Sequence, residues 1–317
     1  MAAQEQGPTA PASGIVGIDI GGTKIAGLVL DEDGAVIGRG GVPAPASVGG
    51  RAMADAAAGL VRELIDRAGT DLRAVGVGAA GVIDHETGTV RAASATFVDW
   101  AGFPLADELR ARLGVPVRIE NDVNAFLLGE AAGSAGAGGD VLGVMLGTGV
   151  GGAVIIDGEL RHGPNGAAGE IGHTPGYSDL VCTCGQIGHL ETLASGTSIG
   201  LRYAERVGGG AVDAREVAAR ARAEDPDAVA VFHAAGRALA LACASAATLL
   251  DLPRAIVGGG VAEAWDLLEP AIEETLRTDA PVSGLPLALV PATLGADAVA
   301  IGAIEAARRA FVPAGAH

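Results

Sequence analysis

Apolar positions along this chain recur in short β-rich runs broken by glycine. From Ile15 to Leu30 the sequence reads IVGIDIGGTKIAGLVL, two apolar runs on either side of a glycine turn, followed by the turn residues DEDG at 31–34. That pattern predicts a β-hairpin. An Ala-rich segment at about 51–68 predicts a helix, while AVGVGAAG at 74–81 and VPVRIEND at 115–122 predict strands. After the small-residue stretch GSAGAGGD at 133–140 a second block of the same kind begins. VLGVMLGTGVGGAVIIDGEL, residues 141–160, again reads strand, glycine turn, strand, with Asp157-Gly158 opening a further turn. The chain then reads as mostly helical from about 197 to 250, interrupted at Gly208-Gly209-Gly210 and Pro226. RAIVGGG at 254–260 predicts a strand ending in three glycines, and helices are expected from Ala262 and over about 296–311. Alternating strands and helices set the class as α/β. Repetition of the hairpin-plus-helix device points to an internal duplication.

With 317 residues, the chain is long enough for two lobes with a cleft between them. It is 49% apolar and only 3% aromatic, with glycine at 51 positions, so packing rests on Ala, Val and Leu with many tight turns. The formal net charge of −17 repels nucleic acid and anionic membrane surfaces, which excludes both as expected partners. A nucleotide remains compatible, because helix N-termini, glycine-loop amides and Mg²⁺ supply local positive potential. Residues 1–13 carry neither a basic start nor an apolar core and read as a loose tail rather than a signal peptide, so a cytoplasmic location is expected. The most apolar stretch, Ala238 to Leu250, is shorter than the roughly 20 residues a membrane-spanning helix needs and reads as a buried helix. Cys182 and Cys184 form a C-x-C pair and Cys243 lies alone in that helix; three cysteines without a secretory signal favour metal binding or burial over disulfides.

Candidate chemistry clusters at the glycine turns. Asp19-Ile20-Gly21-Gly22-Thr23-Lys24 puts a carboxylate at a strand end, then glycines whose backbone can approach phosphate oxygens. Neither the P-loop nor the dinucleotide glycine spacing is met, and an ordinary hairpin turn is the competing reading. Asp122 follows an apolar strand, where a carboxylate could accept a proton from a substrate hydroxyl, or END could simply be a helix cap. Gly147-Thr148-Gly149 would make a second phosphate loop.

Seven motifs taken together carry a resemblance. DIGGTK at 19–24, ENDVNA at 120–125, LGTGVGG at 146–152, GEIGH at 169–173, CTCGQIGHLE at 182–191, ASGTS at 194–198 and VGGGVAE at 257–263 stand in the order found in ROK-family sugar kinases. The chain resembles that family from Ile15 to about Ala306, most closely its actinobacterial glucokinases. The resemblance implies an actin-like (ribonuclease H-like) ATPase fold. Its two lobes would be formed by residues 14–124 with about 298–317, and by 125–297 with a zinc-binding segment at 173–189. It implies ATP with Mg²⁺, transfer to a hexose with the 6-hydroxyl of D-glucose as the leading case, and a homo-oligomer, commonly a dimer or tetramer. Kinases for N-acetylglucosamine, N-acetylmannosamine or kanosamine are rivals. A sugar-responsive repressor is the reading from another class, disfavoured because only 18 residues precede Asp19, none of them Lys or Arg.

By similarity, residue for residue, Asp122 takes the role of catalytic base, and Asn121, Glu170, His173, Glu191 and Gly81 form the sugar site. Asp19, Gly21, Gly22, Thr23, Lys24, Gly147, Thr148, Gly149, Gly258, Gly259 and Gly260 are assigned to the nucleotide and its Mg²⁺. His173, Cys182, Cys184 and His189 are the implied zinc ligands. His189 replaces the family's usual cysteine, and a Cys₂His₂ set is an ordinary closed zinc site. The interval from His173 to Cys182 is nine, one shorter than the family pattern. The loop SATFVDW at 94–100 lacks the asparagine many relatives carry, and AAGVID at 79–84 lacks their proline, so the identity of the sugar stays open.

Overall fold

A computed structural model describes residues 13–94, 96–133, 139–210 and 212–311. Most of the expected tail, Ala95 of the SATFVDW loop, the centre of the small-residue stretch and His317 lie outside the described residues. Two compact units are formed, one from the described residues up to Gly129 together with those from Asp297 onward, the other from Glu130–Ala296.

In the first unit the chain runs through β1 (Ser13–Ile20), β2 (Lys24–Leu30), β3 (Val36–Pro43), α1 (Gly50–Ala68) and β4 (Asp71–Ala79). A small hairpin of β5 (Val82–Asp84) and β6 (Thr89–Ala92) follows, then α2 (Leu105–Leu113), β7 (Val117–Asn121) and α3 (Asp122–Gly133). The second unit contains β8 (Val141–Leu146), β9 (Val150–Ile156), β10 (Glu159–Leu160), the single turn α4 (Glu191–Ala194), α5 (Gly196–Val207) and α6 (Ala214–Arg222). It continues through α7 (Pro226–Leu250), β11 (Arg254–Gly258), α8 (Trp265–Thr278) and β12 (Ala288–Pro291), after which α9 (Ala298–Phe311) returns to the first unit.

The two sheets share one topology, with orders β3-β2-β1-β4-β7 and β10-β9-β8-β11-β12. In each, three strands form an antiparallel meander, and two more add in parallel beside the first strand. The duplication expected from two glycine hairpins therefore extends to a whole five-stranded sheet.

Local sequence explains most boundaries. α1 buries Met53, Ala54, Ala57, Ala58, Val61 and Leu64 at helical spacing and stops at Gly69, whose left-handed backbone lets its N–H bond the carbonyl of Ile65. Three expectations are corrected. Ser13 begins β1 rather than ending a tail. Asp122 is the first residue of α3, not the last of a strand, because Asn121 caps the helix in front of it. Pro226 opens α7 rather than interrupting a helix: Asp225 accepts hydrogen bonds from the N–H groups of Asp227 and Ala228, and proline suits the first helical position.

The apolar stretch at 238–250 is thus the second half of a 25-residue helix, long and apolar enough by composition to cross a bilayer. Its Phe232, Leu239 and Cys243 instead sit in the core of the second unit, and burial pushes the Cys243 thiol up to about 12.

α9 lies against β1 and β4, burying Ala300, Ile304 and Ala307 with Ile15, Leu28 and Ala74. The approach is so close that a Cβ on Gly76 would collide with the backbone carbonyl of Ala303. Replacing Gly76 by Ala is expected to cost ~2 kcal/mol or more in stability, since the obstacle is backbone. Gly59, on the exposed side of α1 with open space around it, should gain about 0.5–1 kcal/mol on replacement by Ala. Urea denaturation of both variants checks the pair, and a Gly76→Ala protein as stable as the parent would refute the packing account.

Candidate active site

The carboxyl ends of the parallel strands gather the residues singled out in the sequence. In the first unit β1, β4 and β7 end in register: Asp19, Gly78 and Glu120 form one row and Ile20, Ala79 and Asn121 the next. The same sheet edge therefore carries Asp19 with its glycine turn, Gly81 just beyond β4, and the Asn121-Asp122 junction. In open α/β sheets this is the edge where ligands bind. Glu120 turns into the protein, where it is buried and paired with Arg118 at 2.7 Å.

Asn121 is engaged on every side. Its carboxamide oxygen accepts from the N–H groups of Val123 (2.9 Å) and Asn124 (3.1 Å), and its amide nitrogen donates to the Gly81 carbonyl and to Asp122 Oδ1, each at 2.9 Å. A carboxamide offers two donor and two acceptor positions, so all four are used within the protein. The residue expected to touch sugar acts here as a brace that fixes Asp122, whose Oδ1 also accepts from the Val123 N–H at 3.0 Å.

Asp19 and Asp122 lie near enough for their charges to repel. Burial, reinforced by Asp122 and opposed by Lys24, pushes the Asp19 carboxyl up to about 7. The turn behind it is closed by a hydrogen bond from the Gly21 N–H to the Lys24 carbonyl at 3.1 Å, leaving Thr23 and Lys24 exposed.

In the second unit, the turn Gly147-Thr148-Gly149 joins β8 to β9 and is closed by Gly147 N–H to Gly149 carbonyl at 2.9 Å. The start of α5 is tied to it: Gly196 N–H donates to the Gly147 carbonyl at 2.8 Å, and Thr197 Oγ1 to the Thr148 carbonyl at 2.9 Å. A glycine turn against a helix N-terminus favours anions. Beside them opens a cavity of about 430 Å³ walled by Gly147, Thr148, Thr197, Leu201, Val212, Arg215 and Gly260. Of the three glycines at 258–260, Gly258 is buried as the last residue of β11, and Gly260 is the one in this wall. Leu201, Val212 and Arg215 carry no sequence signal of their own; the motifs LGTGVGG, ASGTS and VGGGVAE supply Gly147, Thr148, Thr197 and Gly260.

His173, Cys182, Cys184 and His189 converge, their donor atoms all within 4.8 Å of one another. His173 Nδ1 and His189 Nδ1 are 3.3 Å apart, Cys184 Sγ is 3.3 Å from His189 Nδ1, and Cys182 Sγ is 3.8 Å from His173 Nδ1. A tetrahedral zinc site with bonds of ~2.0–2.3 Å has edges of roughly 3.3–3.8 Å between donors, so the donor types and these three spacings fit that ion.

Glu191 stands beside this knot, buried. One oxygen accepts from Thr183 Oγ1 at 2.7 Å with Cys182 Sγ at 3.7 Å, and the other from the Val150 N–H at 2.9 Å. A Cβ on Gly149 would sit 2.6 Å from that second oxygen, so the glycine turn packs directly on the carboxylate. Glu191 thereby links the cysteine knot to the β8–β9 turn, a link Thr183 completes and no sequence pattern announced. Glu170 is held above the usual carboxylate range by desolvation, with the Glu191 charge adding to the effect and His173 opposing it.

The Asp19 shift has a measurable sign. A carboxyl that binds its proton more tightly when folded stabilises the protein fully below its unfolded pKa of 3.8, and that contribution is lost as pH rises towards about 7. Asp19→Asn removes the loss. The variant should therefore gain stability over the parent between pH 4.5 and 7.5 by an amount of the order of 3 kcal/mol in ligand-free denaturation experiments. A stability difference independent of pH would rule this out.

The ROK family model matches residues 15–310. A glucokinase of Streptomyces coelicolor is 36% identical over 314 residues, covering 92% of this chain and 97% of the relative. An N-acetylmannosamine kinase of Shigella flexneri is 34% identical over 249 residues, covering 78% and 83%. The solved structure of a ROK family glucokinase from Streptomyces griseus in complex with glucose and AMPPNP matches with a TM-score of 0.78 and 34% identity, covering 93% of this chain and 99% of that one. The fold is the actin-like α/β fold of these kinases. The chain belongs to the ROK family and, within it, to the sugar kinases.

Proposed function

We propose that this sugar kinase transfers the γ-phosphate of ATP to the 6-hydroxyl of D-glucose, with Asp122 as the base. The observation that carries the reading is the bracing of Asp122 by Asn121 and the Val123 N–H at the carboxyl edge of the first sheet. A carboxylate so fixed can accept the proton of a sugar hydroxyl while that oxygen attacks phosphorus and ADP leaves. Glucose is favoured because the glucokinase relative covers nearly the whole chain and the matched glucokinase structure holds glucose with AMPPNP.

The remaining roles follow from the same reading. Asp19, desolvated and repelled by Asp122, suits a cation, and Mg²⁺ held there would neutralise charge on the β- and γ-phosphates. The glycine turns at 21–22 and 147–149, with Thr23, Lys24 and Thr148, would bind the phosphates. The cavity walled by Leu201, Val212, Arg215 and Gly260 suits the adenosine, and Gly258 and Gly259, which precede Gly260 in the chain, belong to the same reading. Glu170, His173 and Gly81 would contact the sugar; Asn121 and Glu191 would shape its site through Asp122 and the β8–β9 turn. A structural zinc held by His173, Cys182, Cys184 and His189 would cross-link the segment that carries these residues. A cytoplasmic location belongs to the reading, because a thiol-containing zinc site suits a reducing compartment. Assembly into a dimer or tetramer belongs to the reading as well, supported only by the resemblance.

The N-acetylmannosamine kinase relative supports a second reading, phosphorylation of an N-acetylated hexose. A coupled ADP-release assay over glucose, N-acetylglucosamine, N-acetylmannosamine and kanosamine separates the two, and highest kcat/KM for an N-acetylated sugar would displace glucose. Asp122→Asn keeps an Oδ1 acceptor for its two donors, so the fold should persist while kcat falls by roughly 10²–10⁴-fold. Near-parental turnover in that variant would remove Asp122 from the role of base.

A further inference from the structure

We infer that Gln186 is the positioning residue that makes His189 a metal ligand, holding its imidazole so that Nδ1 points into the knot. The inference rests on the zinc reading proposed above. His189 is buried with its Nδ1 3.3 Å from both His173 Nδ1 and Cys184 Sγ, while its Nε2 lies 3.1 Å from the side-chain oxygen of Gln186. A neutral imidazole carries one N–H and one lone pair. An acceptor at Nε2 places the proton there, and the lone pair is then on Nδ1, among the other three donors.

Both ends of this contact are fixed by backbone. Gln186 sits on the tight turn after Cys184, where its own carbonyl accepts from the Cys182 N–H at 2.7 Å and the Gly185 N–H bonds the Cys182 carbonyl at 2.8 Å. The carbonyl of His189 accepts from the N–H of Thr192 at 3.0 Å and from its Oγ1 at 2.7 Å. The remaining freedom is side-chain rotation, and the Gln186 contact restrains it at the ring.

The requirement for Gln186 is created by the residue at 189. A cysteine there would bind metal through a single sulfur, with no second ring atom to satisfy. A histidine brings an N–H that must find an acceptor and a ring that must be turned to the correct face. The departure at position 189 and the Gln186 contact therefore form one unit.

A double-mutant cycle on the full-length protein tests this, with zinc affinity read by competition against a chromogenic chelator and the donor set by the absorption spectrum of the cobalt-loaded protein. Gln186→Ala should weaken zinc binding by about 10–100-fold, as loss of such an outer contact does, while circular dichroism stays unchanged because the side chain is exposed. Gln186→Glu keeps an acceptor oxygen in place and should restore tight binding. In a His189→Cys background, Gln186→Ala should have no effect on affinity. Equal zinc affinity of Gln186→Ala and the parent, or an equal loss in the His189→Cys background, would overturn the inference while leaving the zinc site standing. A parent protein that binds no zinc would remove both.

Discussion

Three parallel strands ending in the same register put Asp19 and Asp122 at one sheet edge, and much of the first unit's chemistry follows from that constraint. Two like charges in a desolvated setting repel, and Asp122 is held in place by Asn121 and the Val123 N–H. The outcome is a site whose ligand-free form is electrostatically uncomfortable and suited to a cation. The second unit repeats the topology. There the corresponding edge carries a glycine turn tied to the start of α5 through the Gly147 and Thr148 carbonyls, with the Glu191 carboxylate packed beneath it.

Within the second unit, Glu191 joins the cysteine knot to the start of β9, which lies 41 residues before it in the chain. Its carboxylate takes a hydroxyl from the cysteine knot on one oxygen and a backbone N–H from the start of β9 on the other. A buried carboxylate with both oxygens occupied resists displacement, since an abandoned donor would be left without a partner. The knot is therefore a support for the glycine turn, and Thr183 between the two cysteines is part of that support.

Local features were legible in the sequence and long-range ones were not. Both glycine hairpins, α1 and the order of the seven motifs could be read because apolar runs and turn residues lie side by side in the chain. β3 and β12 escaped notice: β3 alternates half-buried and exposed residues around three glycines, and β12 is four mostly exposed residues beside a single neighbour. The start of α7 was hidden because Asp-Pro reads equally as a break and as a helix beginning. Asp19, Asp122 and the four clustered Cys and His side chains stand out by their resemblance to the motifs of the family. What they touch does not: the full engagement of Asn121, the burial of Glu191 and the cavity wall of Leu201, Val212 and Arg215 depend on pairings that no spacing encodes.

The close seating of α9 on β1 and β4 bears on how the protein is born. The ribosome makes β1 to β7 first, but the helix that covers one face of their sheet is translated only after the entire second unit. Until then Ile15, Leu28 and Ala74 lack their buried partners Ala300, Ile304 and Ala307. Vectorial synthesis thus cannot complete the first unit before the second, and the nascent chain must carry an uncovered apolar face that chaperones are equipped to shield.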